Sequence, residues 1–450
     1  MSKMPNYTST TNACKLCKPL GASLAFRGIE GCVPFLHGSQ GCATYMRRYI
    51  ISHFNEPIDI ASSSLGEKHA VYGGSANLKL GLKNVTAKYS PEIIGVATTC
   101  LTETIGDNVP MILNEYKEEF ADENSPLVVH VSTPSYAGTH MEGFLAATRA
   151  TVEQLSGPAA KHEKINVFSG FISTADIRYL KDVCEDFGIE YSLMPDYSDT
   201  LDGPALNEYP LVPKGGTPLD DIRKMGGAKA SIELGSTLPG QTAGTVLRDK
   251  YGVQLYQAGL PIGIRETDAF MDLLTKISGK PMPEKYIGAR GRLIDAMVDG
   301  HKYISGKRAV VYGEEDLVVG VAALLAEIGV KPVLCASGGH SGKFEESIAT
   351  VLEGLDCAMP IVKEDVDFFD IEHLAREEKV DMVVGHSKGY SFARKMEIPM
   401  IRVGFPIHDR VGGQRILHLG YHGAQGLFDL ITNTVIAKKQ SDSPIGYSYM

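Results

Sequence analysis

Eight cysteines stand at positions 14, 17, 32, 42, 100, 184, 335 and 357, and five of them fall within the first 100 residues. Three have settings that suit a metal–sulfur ligand. Cys17 precedes Lys18-Pro19; a proline fits the first helical position, so this thiol is expected near a helix N-terminus, where the thiolate is favoured. Cys42 closes His37-Gly-Ser-Gln-Gly-Cys42. Gly38 and Gly41 let the backbone approach a ligand closely, and amides of such a loop can point at anionic sulfides. Cys100 follows the apolar run ending at Thr99, which places it at the carboxyl end of a strand, where open α/β sheets hold their ligands. Iron–sulfur clusters usually take four or more thiolates. Three therefore imply a cluster completed by a partner subunit. Cys14 and Cys17 form a C-x-x-C without a second pair, which argues against a zinc ribbon. Cys32, Cys184, Cys335 and Cys357 lack such settings and are read as structural.

The elements that must position these thiols read as α/β units. The segment 92–99 is a short apolar strand, followed by a helical stretch over 101–120 and a strand over 127–131. A helix is expected over 43–54, with Arg47 and Arg48 in its early turns. A second region begins with a strand over 165–170, continues as a helix over 176–187 and a strand over 190–194, and then a Pro-, Gly- and Asp-rich loop over 196–216. Long loops of this kind tend to be functional. A third region carries strands over 307–313, 331–335 and 380–384, with a helix over 320–328. Alternation at this spacing predicts three doubly wound, mostly parallel-sheet (Rossmann-like) α/β domains, with boundaries at 1–160, 161–300 and 301–450.

The chain has 450 residues, 43% hydrophobic and 22% charged, with a formal charge of −10. A chain this long needs no metal staple to fold, so a metal would be functional. The negative balance and a pI near 5.8 argue against nucleic acid or an anionic membrane as partner. No apolar run approaches the roughly 20 residues of a membrane-spanning helix, and the polar start, 1–11, lacks a signal-peptide pattern. A cytoplasmic location is expected. No G-x-x-x-x-G-K-[ST] loop occurs; Gly338-Gly-His-Ser-Gly-Lys343 has its leading glycine misplaced and reads as a strand-end turn.

Taken in order, Cys17-Lys-Pro-Leu-Gly-Ala, His37-Gly-Ser-Gln-Gly-Cys42, His53-Phe-x-Glu-Pro57 and Thr98-Thr-Cys-Leu-x-Glu103 resemble the β-type subunits of nitrogenase component 1, the NifK/NifN-like group and the nitrogenase-like reductases. Gly385-His-Ser, 402–410 and Gly420-Tyr-His-Gly423 resemble that family's C-terminal region. The resemblance implies that Cys17, Cys42 and Cys100 ligate a P-cluster-type iron–sulfur cluster, eight-iron or four-iron, at the interface with an α-type (NifD/NifE-like) subunit. It implies an α2β2 heterotetramer served by a transient ATP-dependent (NifH-like) iron protein. Ser135, in Thr133-Pro-Ser-Tyr136, matches a serine that can bind the oxidised cluster, and Gly41 belongs to the cluster-facing loop. Ser135 also fits a plain turn residue after Pro134.

Two functions follow. In one, the chain is part of an oxidoreductase that relays electrons through the shared cluster to a cofactor in the α-type partner, for reduction of dinitrogen or another small molecule such as an alkyl thioether. Retention of all three cysteines and Ser135 favours it. In the other, it is a NifN-type subunit of a scaffold for cofactor biosynthesis, favoured by the short N-terminus and the ending at 444–450. A purely structural subunit, whose cysteines only pack, is the third reading.

Overall fold

The computed structural model describes residues 13–120 and 125–445. All of the segment 1–11 and most of the ending 444–450, used above, lie outside them. The chain divides into two compact units: one holds Leu16–Leu234 and Pro239–Gln257, the other Gly235–Leu238, Ala258 onward and a short segment up to Lys15. Three sheets run through them, of four, four and five strands. The α/β class and its largely parallel ladders are as the sequence predicts.

The first unit opens with α1 (Lys18–Arg27), β1 (Cys32–His37), α2 (Gln40–Phe54), β2 (Ala61–Ser62), α3 (His69–Tyr72), α4 (Ser75–Tyr89) and β3 (Ile93–Thr98). It continues with α5 (Cys100–Ile105), α6 (Val109–Phe120), β4 (Leu127–Val131) and α7 (His140–Leu155). Strand order is β2-β1-β3-β4, all parallel, with Cys32 opposite Ile93 and His37 opposite Thr98. The chain leaves β1 towards β2 and returns on the other side as β3. The reversal makes a crevice at the carboxyl ends of β1 and β3, the place where open α/β sheets bind ligands.

One face of this sheet buries Val33, Phe35, Ile94 and Val96 against Leu78 and Leu82 of α4 and Ile112 and Tyr116 of α6. On the other face α1 and α7 lie backbone to backbone. A Cβ on Gly21 would collide with the His140 carbonyl, and one on Gly143 with the Lys18 carbonyl. Only glycine permits that approach. It holds the start of α1 beside the start of α7, at the same edge as the crevice.

Two sequence expectations change here, and one strand, β1, appears where none was expected. β1 is a central strand, although its Pro34 argues against one; β2 pairs only with Phe35 and Leu36, so the missing N–H at Pro34 can face an open edge. The single helix over 101–120 is two helices. Gly106 ends the first in a left-handed cap with φ 78, and Pro110 restarts the second, where a proline fits the first turn. Pro19 sits at the second helical position, one later than expected, with Cys17 as N-cap.

The same unit carries β5 (Ile165–Phe168), α8 (Thr174–Asp186), β6 (Tyr191–Met194), α9 (Leu219–Lys224), β7 (Ala230–Leu234), α10 (Ala243–Tyr251) and β8 (Gln254–Ala258), in sheet order β6-β5-β7-β8. Between β6 and α9 no helix or strand forms, in line with the loop expected at 196–216. The second unit begins with α11 (Ile264–Ser278), α12 (Glu284–Ile304), β9 (Arg308–Tyr312), α13 (Glu315–Glu327), β10 (Lys331–Ala336) and α14 (Phe344–Leu352). It ends with β11 (Ile361–Lys363), α15 (Phe368–Glu377), β12 (Met382–Gly385), α16 (Tyr390–Lys395), β13 (Met400–Arg402) and α17 (Gly420–Asp442), with sheet order β11-β10-β9-β12-β13. The turn at 338–343 follows β10 directly, as expected.

Candidate metal centre

Cys17, Cys42 and Cys100 each occupy the first turn, or the cap, of a helix. Cys17 is the N-cap of α1, Cys42 the third residue of α2, and Cys100 the first residue of α5. Unsatisfied N–H groups and the positive end of the helix dipole favour a thiolate at such positions. All three are partly exposed, whereas Cys14, Cys32, Cys184 and Cys335 are buried. Burial pushes the thiols of Cys14, Cys32 and Cys184 up to about 12, so they stay neutral and inert. Cys357 is partly exposed and directs its Sγ at the Ala358 carbonyl, 3.4 Å away.

The segments bearing these thiols are tied at the crevice. Thr99, just before Cys100, donates its N–H and its hydroxyl to the His37 carbonyl, each at 3.1 Å. Ser39 Oγ donates to Cys42 Sγ at 3.4 Å. Cys17 lies close enough to Tyr45 for its charge to act on the phenol, and Tyr45 is one turn beyond Cys42 on α2. The loop after β4 joins the same edge. Thr133 N–H donates to Thr98 Oγ1 at 2.8 Å, Thr133 Oγ1 donates to the Thr98 carbonyl at 2.7 Å, and Lys18 Nζ reaches the Ala137 carbonyl at 3.0 Å. Ser135 is a partly exposed member of that loop. Gly41 is exposed at the start of α2 and has open space around it; the tight approach is at Gly38, where a Cβ would strike the Thr99 side chain.

Two supports were not legible as such in the sequence. Glu103 accepts hydrogen bonds from Thr98 Oγ1 and, at 2.5 Å, from Ser132 Oγ, clamping the β4 loop to α5. His37 is fully buried, with Nδ1 2.9 Å from Ser63 Oγ and Nε2 3.0 Å from Asp107 Oδ2. Burial outweighs Asp107 and holds its pKa below the usual histidine value. Although these are the residue types of a nucleophilic triad, Ser63 is buried and receives the Gly38 N–H at 2.9 Å. Its work is to brace the loop that carries Cys42. Partners 26 and 70 residues away from His37 leave no local pattern to read.

Among the described residues, no three His, Cys, Asp or Glu side chains converge on a point that could hold one metal ion. The donor set is three soft thiols on separate helix starts along one sheet edge. That chemistry fits a multinuclear iron–sulfur group with further ligands from outside the chain, and does not fit a lone ion.

Comparison with known proteins agrees with this fold and this edge. Residues 17–436 match the family described as nitrogenase component 1 type oxidoreductase, and the chain belongs to it. Within that family it is a β-type subunit. It is 37% identical over 428 residues to the nitrogenase molybdenum-iron protein beta chain of Clostridium pasteurianum, covering 95% of this chain and 93% of that one. It is 33% identical to the nitrogenase vanadium-iron protein beta chain of Trichormus variabilis, with 94% and 93% covered. The solved structure of nitrogenase Cp1 at pH 6.5 contains a chain that superposes with TM-score 0.95 at 35% identity, covering 99% of this chain and 98% of that one. The chain is thus a subunit of a nitrogenase-like oxidoreductase complex. No helix among the described residues is long and apolar enough to cross a membrane.

Proposed function

We propose that this subunit holds, with Cys17, Cys42 and Cys100, its half of a P-cluster-type iron–sulfur cluster shared with an α-type partner. When bound, the cluster supplies one-electron redox chemistry. This chain's part is to present three thiolates from helix N-termini, to fix their spacing through Gly38–Thr99 and Glu103–Ser132, and to keep Ser135 on the adjoining loop. The observation that carries the reading is the placement of Cys42 and Cys100 on the two sides of the β1/β3 strand-order reversal. Among this chain's cysteines, the helix-terminal and partly exposed ones are also the ones the family resemblance selects.

In this reading electrons arrive from an ATP-driven iron protein and pass on to a cofactor in the partner within an α2β2 assembly. A NifN-type scaffold role, in which the same thiolates serve cofactor assembly, is the second reading; the chemistry of this edge is common to both. Iron content and the Mössbauer spectrum of the anaerobically purified complex decide. An eight-iron cluster supports the electron relay, a four-iron cluster the scaffold, and an iron-free complex overturns both.

A further inference from the structure

Arg27, the last residue of α1, is only 4% exposed. Its Nε is sealed from solvent without a hydrogen-bond partner. Among the described residues no acceptor meets the rest of its guanidinium either. Its backbone carbonyl accepts from Thr200 Oγ1 at 2.7 Å, which anchors it under the 196–216 loop. The nearby carboxylate, Asp59, is already engaged by Arg47 at 3.2 Å and by the Tyr89 hydroxyl at 2.9 Å. Burial lowers the guanidinium's pKa to about 10, so it is still charged at neutral pH. An uncompensated buried charge is costly, and such groups are ordinarily paired.

The side chain lines a cavity of about 560 Å3. That lies within the roughly 300–1,000 Å3 typical of small-molecule sites. One wall is the 196–216 loop, which the ladder and helix network of the unit leaves free of regular structure. Pro57, Ile58, Pro204, Leu206, Tyr209 and Leu211 give the cavity an apolar lining. Three carboxylates, Glu56, Asp59 and Asp199, and two further cations, Arg47 and Lys214, also line it; Arg47 is held by Asp59, so the lining as a whole carries no excess positive charge to draw in a multiply charged anion.

We propose that this cavity binds an organic monocarboxylate, with its carboxylate on the Arg27 guanidinium and its apolar part against the proline and leucine wall. The planar fork of arginine matches a carboxylate bidentately. A single negative charge matches the one guanidinium of Arg27 and meets less repulsion from the three acidic side chains than a multiply charged anion would, and a carbon skeleton uses walls that phosphate could not. The site lies apart from the three helix-terminal cysteines, so it stands or falls independently of the cluster.

The test is isothermal titration and thermal-shift measurement on the purified full-length chain with its partner, at constant ionic strength. Sodium hexanoate and sodium benzoate are the probes, with inorganic phosphate as comparator. We expect the carboxylates to bind and raise the melting temperature, and phosphate to do neither. Arg27→Met should abolish the protection, and Arg27→Lys, which keeps the charge but loses the fork, should weaken binding roughly tenfold or more. If Arg27→Met fails to fold, the lysine variant carries the comparison. Equal binding to wild type and variant, stronger protection by phosphate, or no carboxylate binding at all would each overturn the proposal.

Discussion

Gly38 lies against Thr99 so closely that any Cβ at position 38 would overlap the threonine side chain, while Thr99 N–H and Oγ1 both donate to the neighbouring His37 carbonyl at 3.1 Å. This contact joins the loop that leads to Cys42 to the residue that precedes Cys100. Gly38→Ala should push the two cysteine segments apart. Overpacking of this kind costs about 1–3 kcal/mol. The expected outcome is a folded subunit with a lowered melting temperature and reduced iron in the purified complex. Full iron in a destabilised variant would show that the contact serves stability alone.

Cys42 is partly exposed on the first turn of α2, so removing its sulfur leaves no core cavity. Cys42→Ala should leave the circular dichroism spectrum and melting midpoint of the isolated subunit within about 0.5 kcal/mol of wild type, as surface changes do, yet strip iron from the complex. The chain expressed alone should likewise be iron-poor. A stable, iron-replete monomer would contradict the shared site.

Glu103 receives two hydroxyl donors, from Thr98 and Ser132. Glu103→Ala leaves both without their acceptor and frees the loop that carries Ser135. A loss of about 1–3 kcal/mol is expected. Hydrogen exchange should rise at the amides of 132–138 more than at those of β3. Unchanged exchange there would remove Glu103 from the role of clamp.

In the second unit, Arg402 grips Asp409 with two nitrogens, Nε at 2.9 Å and Nη2 at 2.6 Å, and Ser387 adds its hydroxyl. Burial raises the Asp409 pKa, but these hydrogen bonds win and hold it at about 2, below its ordinary 3.8. The folded state therefore binds this proton more weakly than the unfolded chain. The resulting stability is fully present above pH ~4 and is lost as pH falls through about 2. It is worth roughly 2 kcal/mol. Asp409→Asn should cost that much at pH 7 and flatten the acid limb of a denaturation profile, an effect read by urea melts at pH 7 and pH 3.

His37 acts in the same direction at higher pH. Its folded pKa is lowered, chiefly by burial, so below about pH 6.5 the unfolded chain takes up a proton that the folded state resists. Stability should fall as pH drops from about 6.5, and a His37→Gln variant should show a shallower decline over that range. An unchanged profile would remove His37 from the acid sensitivity.

Much of the α/β architecture was readable because short apolar runs alternate with amphipathic stretches, a pattern set by the period of each element. Strands 93–98, 127–131, 165–168 and 308–312 fall where the sequence places them. No strand was expected at β1, where Pro34 interrupts the strand pattern and the neighbour β2 is only two residues long. The break between α5 and α6 also escaped, since Gly106 interrupts a stretch whose helical residues otherwise run on.

The sequence by itself singled out three cysteines as candidate ligands. Proline, glycine and strand ends beside Cys17, Cys42 and Cys100 are local features, and local geometry follows from local residue types. Only the tertiary structure decided what surrounds them. The β1/β3 reversal, the brace of His37 by Ser63 and Asp107, the Glu103 clamp and the unpaired charge of Arg27 all join residues far apart in the chain. Such contacts arise from how sheets and helices stack, and no local periodicity encodes a partner 26 or 70 residues away.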